Sequence, residues 1–302
     1  MSPPSIEQLH TFHAKDRKIF SKLVLKFSKT PAESLLIMAT WFWLEDFFSQ
    51  NILSTILALS DPVIMALANE AVLCFQCLDS AEQPNDFNQI PLTAELLAKD
   101  ISLQIFHKHR YSAIAGIRNF LTTVCSRIFS DILQRALPPS SSYPFVTRLR
   151  HPLIIPGFPH PTFGSINVMH DVVVGDNLYN NNLFPCSHGL WGWNASCIAT
   201  DNERTMFITF SRGFPVSQAE VKRFFTKNYG ENCVEGVYMK EDNKNFLNAN
   251  GNDNGQQQSL FAKLVLNSVA TVDRILDGEK IKRFKSNGKH IWARKYSMTR
   301  DD

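Results

Sequence analysis

The sequence predicts an α+β protein in which a helical N-terminal domain precedes a domain of strands and helices in the order βαββαβ. Three observations lead to this prediction. Apolar residues recur at helical spacing as far as residue 137. Seven of the fifteen prolines then fall between Pro138 and Pro161, which interrupts regular structure. From Thr205 onward, short apolar runs alternate with helix-start signals. We therefore predict a helical domain over 1–137, a connector over 138–202 and a second domain over 203–300.

Capping signals support the helical domain. In residues 30–33, TPAE, a hydroxyl cap precedes a proline at the first helical position and a carboxylate that can reach back. Asp61-Pro62 repeats this signal, and a further helical pattern runs from Thr93 to Ile105. A last helix is expected from near Tyr111 to Leu137. Four to six packed helices are the simplest interpretation.

The connector is predicted to be at least partly ordered. Its first part is rich in proline, and its second part, including NLYNNNLFPCSHGLWGWNAS, combines asparagine and glycine with aromatic residues. A fully flexible tether would expose the apolar side chains of Leu153, Ile154, Phe158, Trp191 and Trp193 to water. We therefore expect some of these residues to pack against a domain.

Composition and the N-terminal sequence limit the cellular setting. The start, MSPPSIEQLH, lacks the basic flank and apolar run of a secretory signal, so we expect an intracellular protein with its six cysteines reduced. Charged residues interrupt both long apolar stretches before either reaches the roughly 20 residues that a membrane span requires. The sequence thus predicts no membrane association.

The C-terminal domain is predicted from a change of periodicity. Strands are expected over residues 206–210, 234–240, 260–266 and 290–296. Helices are expected over 218–229, after the capping box SQAE that begins at Ser217, and over 269–276. With both helices on one face of an antiparallel sheet, this order is the ferredoxin-like, split β-α-β arrangement.

Two of these strands resemble the sequence signatures of the RNA recognition motif (RRM). MFITFS is similar to the family's first-strand hexamer and places Phe207 at the aromatic position. SLFAKLVL is similar to the third-strand octamer, with Phe261 at its third position. It departs from the family in having Lys263 at a usually aromatic position and Leu260 where glycine is usual. The layout of the whole chain resembles a group of plant proteins that end in a divergent RRM.

The resemblance implies binding of single-stranded RNA on the open face of the sheet, and side-chain alternation predicts which residues lie there. Phe207 faces away from Met206 and Ile208, and Phe261 and Lys263 share one side of their strand. On the last strand His290, Trp292 and Arg294 share a side. Unpaired bases stack on such aromatic rings, while cations hold the phosphates.

Basic residues concentrate near the C-terminus. Between Lys280 and Arg300 there are eight Lys and Arg residues and no Asp or Glu. Such a run attracts phosphate, so Lys289 and Lys295 join the predicted RNA contacts. The run also resembles a short nuclear-import cluster, which leaves nucleus and cytoplasm both open.

Other residue patterns suggest chemistry only weakly. Cys74 and Cys77 have metal-ligand spacing but lie in an apolar helical pattern without a second pair. The sequence offers two further groups without a complete site signature, which are Cys186, His188 and Cys197, and His170, Asp171 and Asp176. We therefore predict no catalytic residues, no metal and no cofactor.

The sequence thus predicts an RNA-binding protein that is not an enzyme. Its RNA contacts would be Phe207, Phe261, Lys263, Lys289, His290, Trp292, Arg294 and Lys295. The alternative is a protein-interaction adaptor that uses the same sheet face and the helical domain without RNA. In either case, the helical domain is expected to offer a surface for a protein partner.

Overall fold

The structure, a computed structural model, describes residues 5–79, 89–137, 153–168, 199–211, 216–239, 259–286 and 288–296. It is an α+β protein, with a helical N-terminal region and a C-terminal antiparallel sheet, as predicted. The chain separates into two compact units. One contains residues 1–107 and 113–197, and the other contains residues 108–112 and 198–302.

The N-terminal region is built from short and long helices. These are α1 (Ile6–Phe12), α2 (Ala14–Ser21), α3 (Pro31–Phe48), α4 (Ile52–Ala58), α5 (Asp61–Asp79), α6 (Pro91–Leu97), α7 (Leu103–Lys108), α8 (Arg110–Phe120), α9 (Ser126–Ile128) and α10 (Ser130–Ala136). A π-helical segment, Lys22–Lys26, extends α2, and a second, Leu121–Cys125, joins α8 to α9. The described helices exceed the predicted four to six because two predicted helices are divided and because α1 and α4 were not predicted.

The first divided helix was predicted from Thr93 to Ile105, but α6 begins earlier and ends at Ala98 in a left-handed conformation. The reason is a cap from a distant helix. The carboxylate of Glu70, buried in α5, accepts hydrogen bonds from the N–H of Leu92 at 2.9 Å and of Thr93 at 2.7 Å. These are two of the N–H groups left without partners at a helix start, so Glu70 fixes the start of α6. The second divided helix was predicted from near Tyr111 to Leu137. In the structure it consists of α8 to α10, with a break at Phe129.

Helix α3 is the centre of the helical core. Thr30 caps it and Pro31 occupies its first position, as the sequence predicted. Trp41 and Trp43 are both buried, and the ring of Trp43 lies against Gly116 of α8. A Cβ added to Gly116 would lie 2.4 Å from Cδ1 of Trp43. Glycine at 116 therefore allows the close approach of these two helices.

Part of the predicted connector belongs to this core. In the described segment 153–168, Ile155, Phe163 and Val168 are buried with the helical side chains. The N–H of Leu153 donates to the carbonyl of Val168 at 2.9 Å, which closes the segment on itself. Ile154, in contrast, is 86% exposed. Trp191 and Trp193 lie outside the described residues.

The C-terminal unit is a five-stranded antiparallel sheet with two helices. Its elements are β1 (Thr205–Phe210), α11 (Gln218–Tyr229), β2 (Val234–Met239), β3 (Phe261–Leu266), α12 (Val269–Leu276), β4 (Ile281–Ser286) and β5 (Lys289–Lys295). The strand order is β2-β3-β1-β5-β4. The predicted four-stranded arrangement therefore differs from the sheet in strand count and order, because β4 was not predicted.

Alternation along the strands separates a buried face from an open face. The core of this unit contains the inward side chains of β1, β3 and β5, including Met206, Ile208, Leu264 and Ile291. Helices α11 and α12 supply Val221, Phe225, Val272 and Ile275 to the same core. The predicted capping box at the start of α11 is present, with Ser217 and Glu220 bonded to each other's backbone N–H groups. One face of the sheet is thus covered by helices.

Candidate nucleic-acid interface

The uncovered side of the sheet carries an aromatic and basic surface, which we call the open face. Its described strand residues are Gly236 and Tyr238 on β2; Phe261, Lys263 and Val265 on β3; Thr205, Phe207 and Thr209 on β1; His290, Trp292 and Arg294 on β5; and Ile281, Arg283 and Lys285 on β4. Five strands at a spacing of roughly 4.8 Å make this surface about 19 Å wide.

The register of the strands arranges these side chains in rows. In one row Phe207 is the Cα partner of Lys263 on one side and of Arg294 on the other. In the next row Thr209 is the partner of both Phe261 and Trp292. The first row therefore places a cation on each side of an aromatic ring, and the second places an aromatic ring on each side of Thr209. Six of the eight RNA contacts predicted from the sequence lie on this one face.

The first aromatic cluster joins β1 and β3. The rings of Phe207 and Phe261 stack with their centres 5.6 Å apart and their planes 23° apart. The guanidinium carbon of Arg294 lies 4.7 Å from the centre of the Phe207 ring, which is a cation–π distance. Phe261 is 36% exposed and Phe207 is half-buried between its two neighbours. A flat ligand ring therefore has an aromatic surface and a cation available side by side.

The second cluster lies on β5 and β4. The ring centres of Trp292 and His290 are 6.0 Å apart, with an angle of 42° between the planes. The guanidinium carbon of Arg283 lies 5.7 Å from the centre of the Trp292 ring. Arg283 and Trp292 are Cα partners, and Lys285 is the partner of His290. The strand missed from the sequence thus supplies the cations of this cluster.

Two tyrosines on or beside the open face were also missed. Tyr238 is 64% exposed, and its ring lies over Gly236 of the same strand. Nζ of Lys263 lies 4.5 Å from the centre of the Tyr296 ring. Tyr296 was recognisable from the sequence, because it continues the outward alternation of the predicted last strand. Tyr238 was not, because the bulge between Val234 and Gly236 breaks the alternation of β2.

The charge of the open face has one sign. Lys263, Arg283, Lys285 and Arg294 are all exposed. Among the described residues of this face there is no Asp or Glu. Glu235, at the bulge of β2, forms an ion pair with Arg204. A surface of this kind attracts a polyanion, and its affinity falls as salt screens the attraction.

The other two predicted contacts, Lys289 and Lys295, point to the helix-covered side of β5. Nζ of Lys289 donates to both carboxylate oxygens of Glu220 in α11, at 2.9 and 3.2 Å. Two contacts lower the pKa of Glu220. The hydrogen bond from the backbone N–H of Ser217 has the larger effect, and the contact with Lys289 has the next largest. The predicted places of these two lysines on the RNA surface therefore do not agree with their positions in the sheet.

Lys295 is held in a polar pocket of the C-terminal unit. Its ammonium group donates to the carbonyls of Asn202, Glu203 and Thr205. Burial lowers its pKa to about 8, although the nearby carboxylates of Glu203 and Asp273 oppose this shift. These carbonyl contacts explain how a largely buried ammonium group is tolerated.

Asp273 of α12 forms a second buried charge in this unit. Its carboxylate accepts hydrogen bonds from the N–H of Tyr111 at 3.1 Å and of Ser112 at 2.8 Å. Burial raises the pKa of Asp273 to about 6, against the opposing effect of these hydrogen bonds. Asp273 therefore caps the backbone segment Lys108–Ser112, which is part of the C-terminal unit.

The described residues offer little for metal or redox chemistry. Cys74 is buried in α5, and burial raises the pKa of its thiol. No cluster of three or more His, Cys, Asp or Glu with metal-binding geometry occurs in the part of the chain that the structure describes. The cysteine and histidine residues 186, 188 and 197 lie outside the described residues, as do residues 170, 171 and 176.

Comparisons with protein-family models, with curated proteins and with solved structures found no match to this chain. Within the described residues, one helix, α5, is long and apolar enough to cross a membrane by length and composition alone. Its Ile64, Leu67 and Cys74 belong to the buried helical core, together with the capping carboxylate of Glu70. A helix with these contacts is weak support for a membrane span.

Proposed function

We propose that this protein binds single-stranded RNA on the open face of its C-terminal sheet. The observation that carries the proposal is the stacked pair of Phe207 and Phe261, with Arg294 beside it, on a face whose described charges are all positive. Single-stranded nucleic acids bind to surfaces that combine aromatic platforms with cations along the backbone path. No catalytic step is part of the proposal.

We also propose that the sheet is a ferredoxin-like sheet of the RRM type with one added strand. Strand β4 lies at the edge and pairs only with β5 among the described strands. Without it, the order of the remaining strands is β2-β3-β1-β5, and the elements follow the order βαββαβ. This interpretation supports the proposed function because the two signature aromatics then lie on the two central strands.

The chemistry of binding follows from the cluster. A base that stacks on Phe261 or Phe207 gains about 1 to 3 kcal/mol. Arg294 and Lys263 flank Phe207 in the same row and are placed to contact phosphates. Because stacking tolerates every base, we expect a weak preference for sequence and a strong dependence on salt.

The test uses the full-length chain, since residues 108–112 belong to the C-terminal unit. Fluorescence anisotropy with labelled oligouridine and oligoadenosine should show binding that weakens steeply with salt. Phe261→Ala should weaken binding by about 1 to 3 kcal/mol. Phe12→Ala removes a ring of similar exposure, 51%, from α1 and should leave affinity unchanged. Absence of any RNA binding at low salt would refute the proposed function.

A protein-interaction adaptor is the second candidate function. Tyr238 and Ile281 are strongly exposed, and arginine and tryptophan lie together at Arg283 and Trp292. Tyrosine, tryptophan and arginine dominate the energetically important centres of protein interfaces. A pulldown that is insensitive to ribonuclease but is lost in Tyr238→Ala would favour this candidate. The predicted intracellular location, in nucleus or cytoplasm, is common to both functions.

A further inference from the structure

The added strand β4 supplies cations to a second aromatic cluster on the open face. The first cluster is centred on Phe207 and Phe261, and the second on Trp292. Thr209 separates them, because it is the Cα partner of both Phe261 and Trp292. The backbones of Phe261 and Trp292 are thus two strand spacings apart, or about 10 Å. Stacked rings have centres about 4.5 to 7 Å apart, so one base does not cover both clusters.

The second cluster contains its own cations. Arg283 and Lys285 are both exposed and lie directly opposite Trp292 and His290. Within the described residues neither forms an ion pair. Lys282, on the other side of the same strand, pairs with Glu279 at 3.5 Å and with Asp277 at 3.8 Å. The carboxylates near β4 are therefore bound on the helix-covered side, and the cations on the open side are available to a ligand.

We propose that β4 and β5 form a second nucleotide subsite. A second base stacks on Trp292 beside His290, and the next two phosphates, beyond the one that joins it to the first nucleotide, bind Arg283 and Lys285 on the far side of β5. The ligand is then a single strand of RNA that crosses the sheet from β3 to β4. This inference rests on the proposed function. It makes the unpredicted strand β4 a determinant of the number of nucleotides that the protein binds.

Arg283 is the residue that distinguishes this subsite from a general basic surface. Its guanidinium group contacts the Trp292 ring, so in the absence of RNA it holds the indole and screens its π surface. Lysine carries the same charge but lacks the planar group that stacks on a ring. Arg283→Lys therefore separates the contribution of charge from that of stacking.

The experiment compares labelled oligouridines of about two and about eight nucleotides with the full-length chain. Arg283→Ala combined with Lys285→Ala should weaken binding of the longer RNA roughly tenfold. It should also lower the salt slope, which is the decrease of log affinity with log salt concentration, by about 1.4, for two phosphate contacts. Binding of the shorter RNA should stay within about twofold of wild type. Lys282→Ala, on the same strand but the other face, is the matched control and should leave both affinities unchanged.

Three outcomes overturn the proposal. The double variant binds the longer RNA as tightly as wild type, it loses both RNAs equally, or Lys282→Ala has the same effect. If the wild-type chain binds neither RNA, the proposed function itself fails, which is a different result. Ultraviolet crosslinking provides a test that needs no variant. The longer RNA should crosslink at Trp292 or His290 in addition to Phe207 or Phe261.

Discussion

The guanidinium group of Arg294 rests on the ring of Phe207, with 4.7 Å between the guanidinium carbon and the ring centre. The two residues are Cα partners on neighbouring strands, so the contact follows directly from the register of β1 and β5. The cation occupies part of the surface on which a base is proposed to stack. Arg294 must therefore move aside when RNA binds, and it is then placed to contact a phosphate.

The first prediction concerns this exchange of partners. Arg294→Ala should weaken RNA binding and lower the salt slope by about 0.7, because one phosphate contact is lost. Arg294→Lys should keep the salt slope, since the charge is retained, while it loses the stacking contribution of the planar group. Anisotropy titrations at several salt concentrations measure both effects. Tighter binding by Arg294→Ala would show instead that Arg294 only shields the ring.

The second prediction distinguishes the two faces of β5. Lys289 is bound to Glu220 on the helix-covered side, so Lys289→Ala should leave the affinity for RNA and its salt slope unchanged. Lys263→Ala, on the open face, should lower both. The pair is partly exposed, so its loss should reduce the free energy of unfolding by no more than about 1 kcal/mol. A fall in salt slope for Lys289→Ala would place RNA on the other side of the sheet.

The positions of the open-face residues on β1, β3 and β5 were predictable from alternation, because each strand also carries apolar residues on its inner side. Ile291 and Ala293 show this for β5. The same alternation assigns Lys289 and Lys295 to the inner side, but the density of basic residues led to their inclusion among the RNA contacts. Parity within a strand is therefore a better guide to side-chain position than the local density of charge.

Strand β4 was missed because its sequence, IKRFKS, has only Phe284 as a large apolar residue on the inner side. Asn287-Gly288 between the paired residues Ser286 and Lys289 was nevertheless a strong signal for a two-residue hairpin. The start of α6 was less predictable. Its cap comes from Glu70 on another helix, and no local pattern reports a contact between distant parts of the chain.

The third prediction concerns packing in the helical unit. Gly116→Ala places a methyl group 2.4 Å from Cδ1 of the buried Trp43 ring, so one of the two helices or the ring must shift. Overpacking of this kind costs about 1 to 3 kcal/mol, which exceeds the helix-propensity gain of about 1 kcal/mol for alanine over glycine. Urea denaturation should therefore show a less stable protein.

A double-mutant cycle with Trp43→Leu tests the cause of this loss. In the Trp43→Leu background the smaller side chain leaves room for the added methyl group, so Gly116→Ala should cost less there or become stabilising. An equal cost in both backgrounds would exclude the contact with Trp43 as the cause.

The fourth prediction is a pH dependence that arises from Asp273. Its folded-state pKa of about 6 lies above its ordinary value of 3.8, so the folded unit binds the proton more tightly than the unfolded chain. The stabilisation from this proton is complete below about pH 4 and is lost as the pH rises through 6. A shift of about two pKa units corresponds to about 3 kcal/mol. The effect is opposite in sign to that of a salt-bridged carboxylate.

Asp273→Asn removes the titration and keeps one acceptor for the N–H groups of Tyr111 and Ser112. The free energy of opening the sheet unit in wild type, minus that in this variant, should therefore decrease as the pH rises from about 4 to about 7. Amide hydrogen exchange of the β1 and β5 strands, corrected for intrinsic rates, reports this free energy for the sheet unit. Asp277→Asn, at the exposed end of the same helix, is the matched control. A constant difference across this range would mean that Asp273 titrates at the same pH in the folded and unfolded states, and burial would then not control its charge.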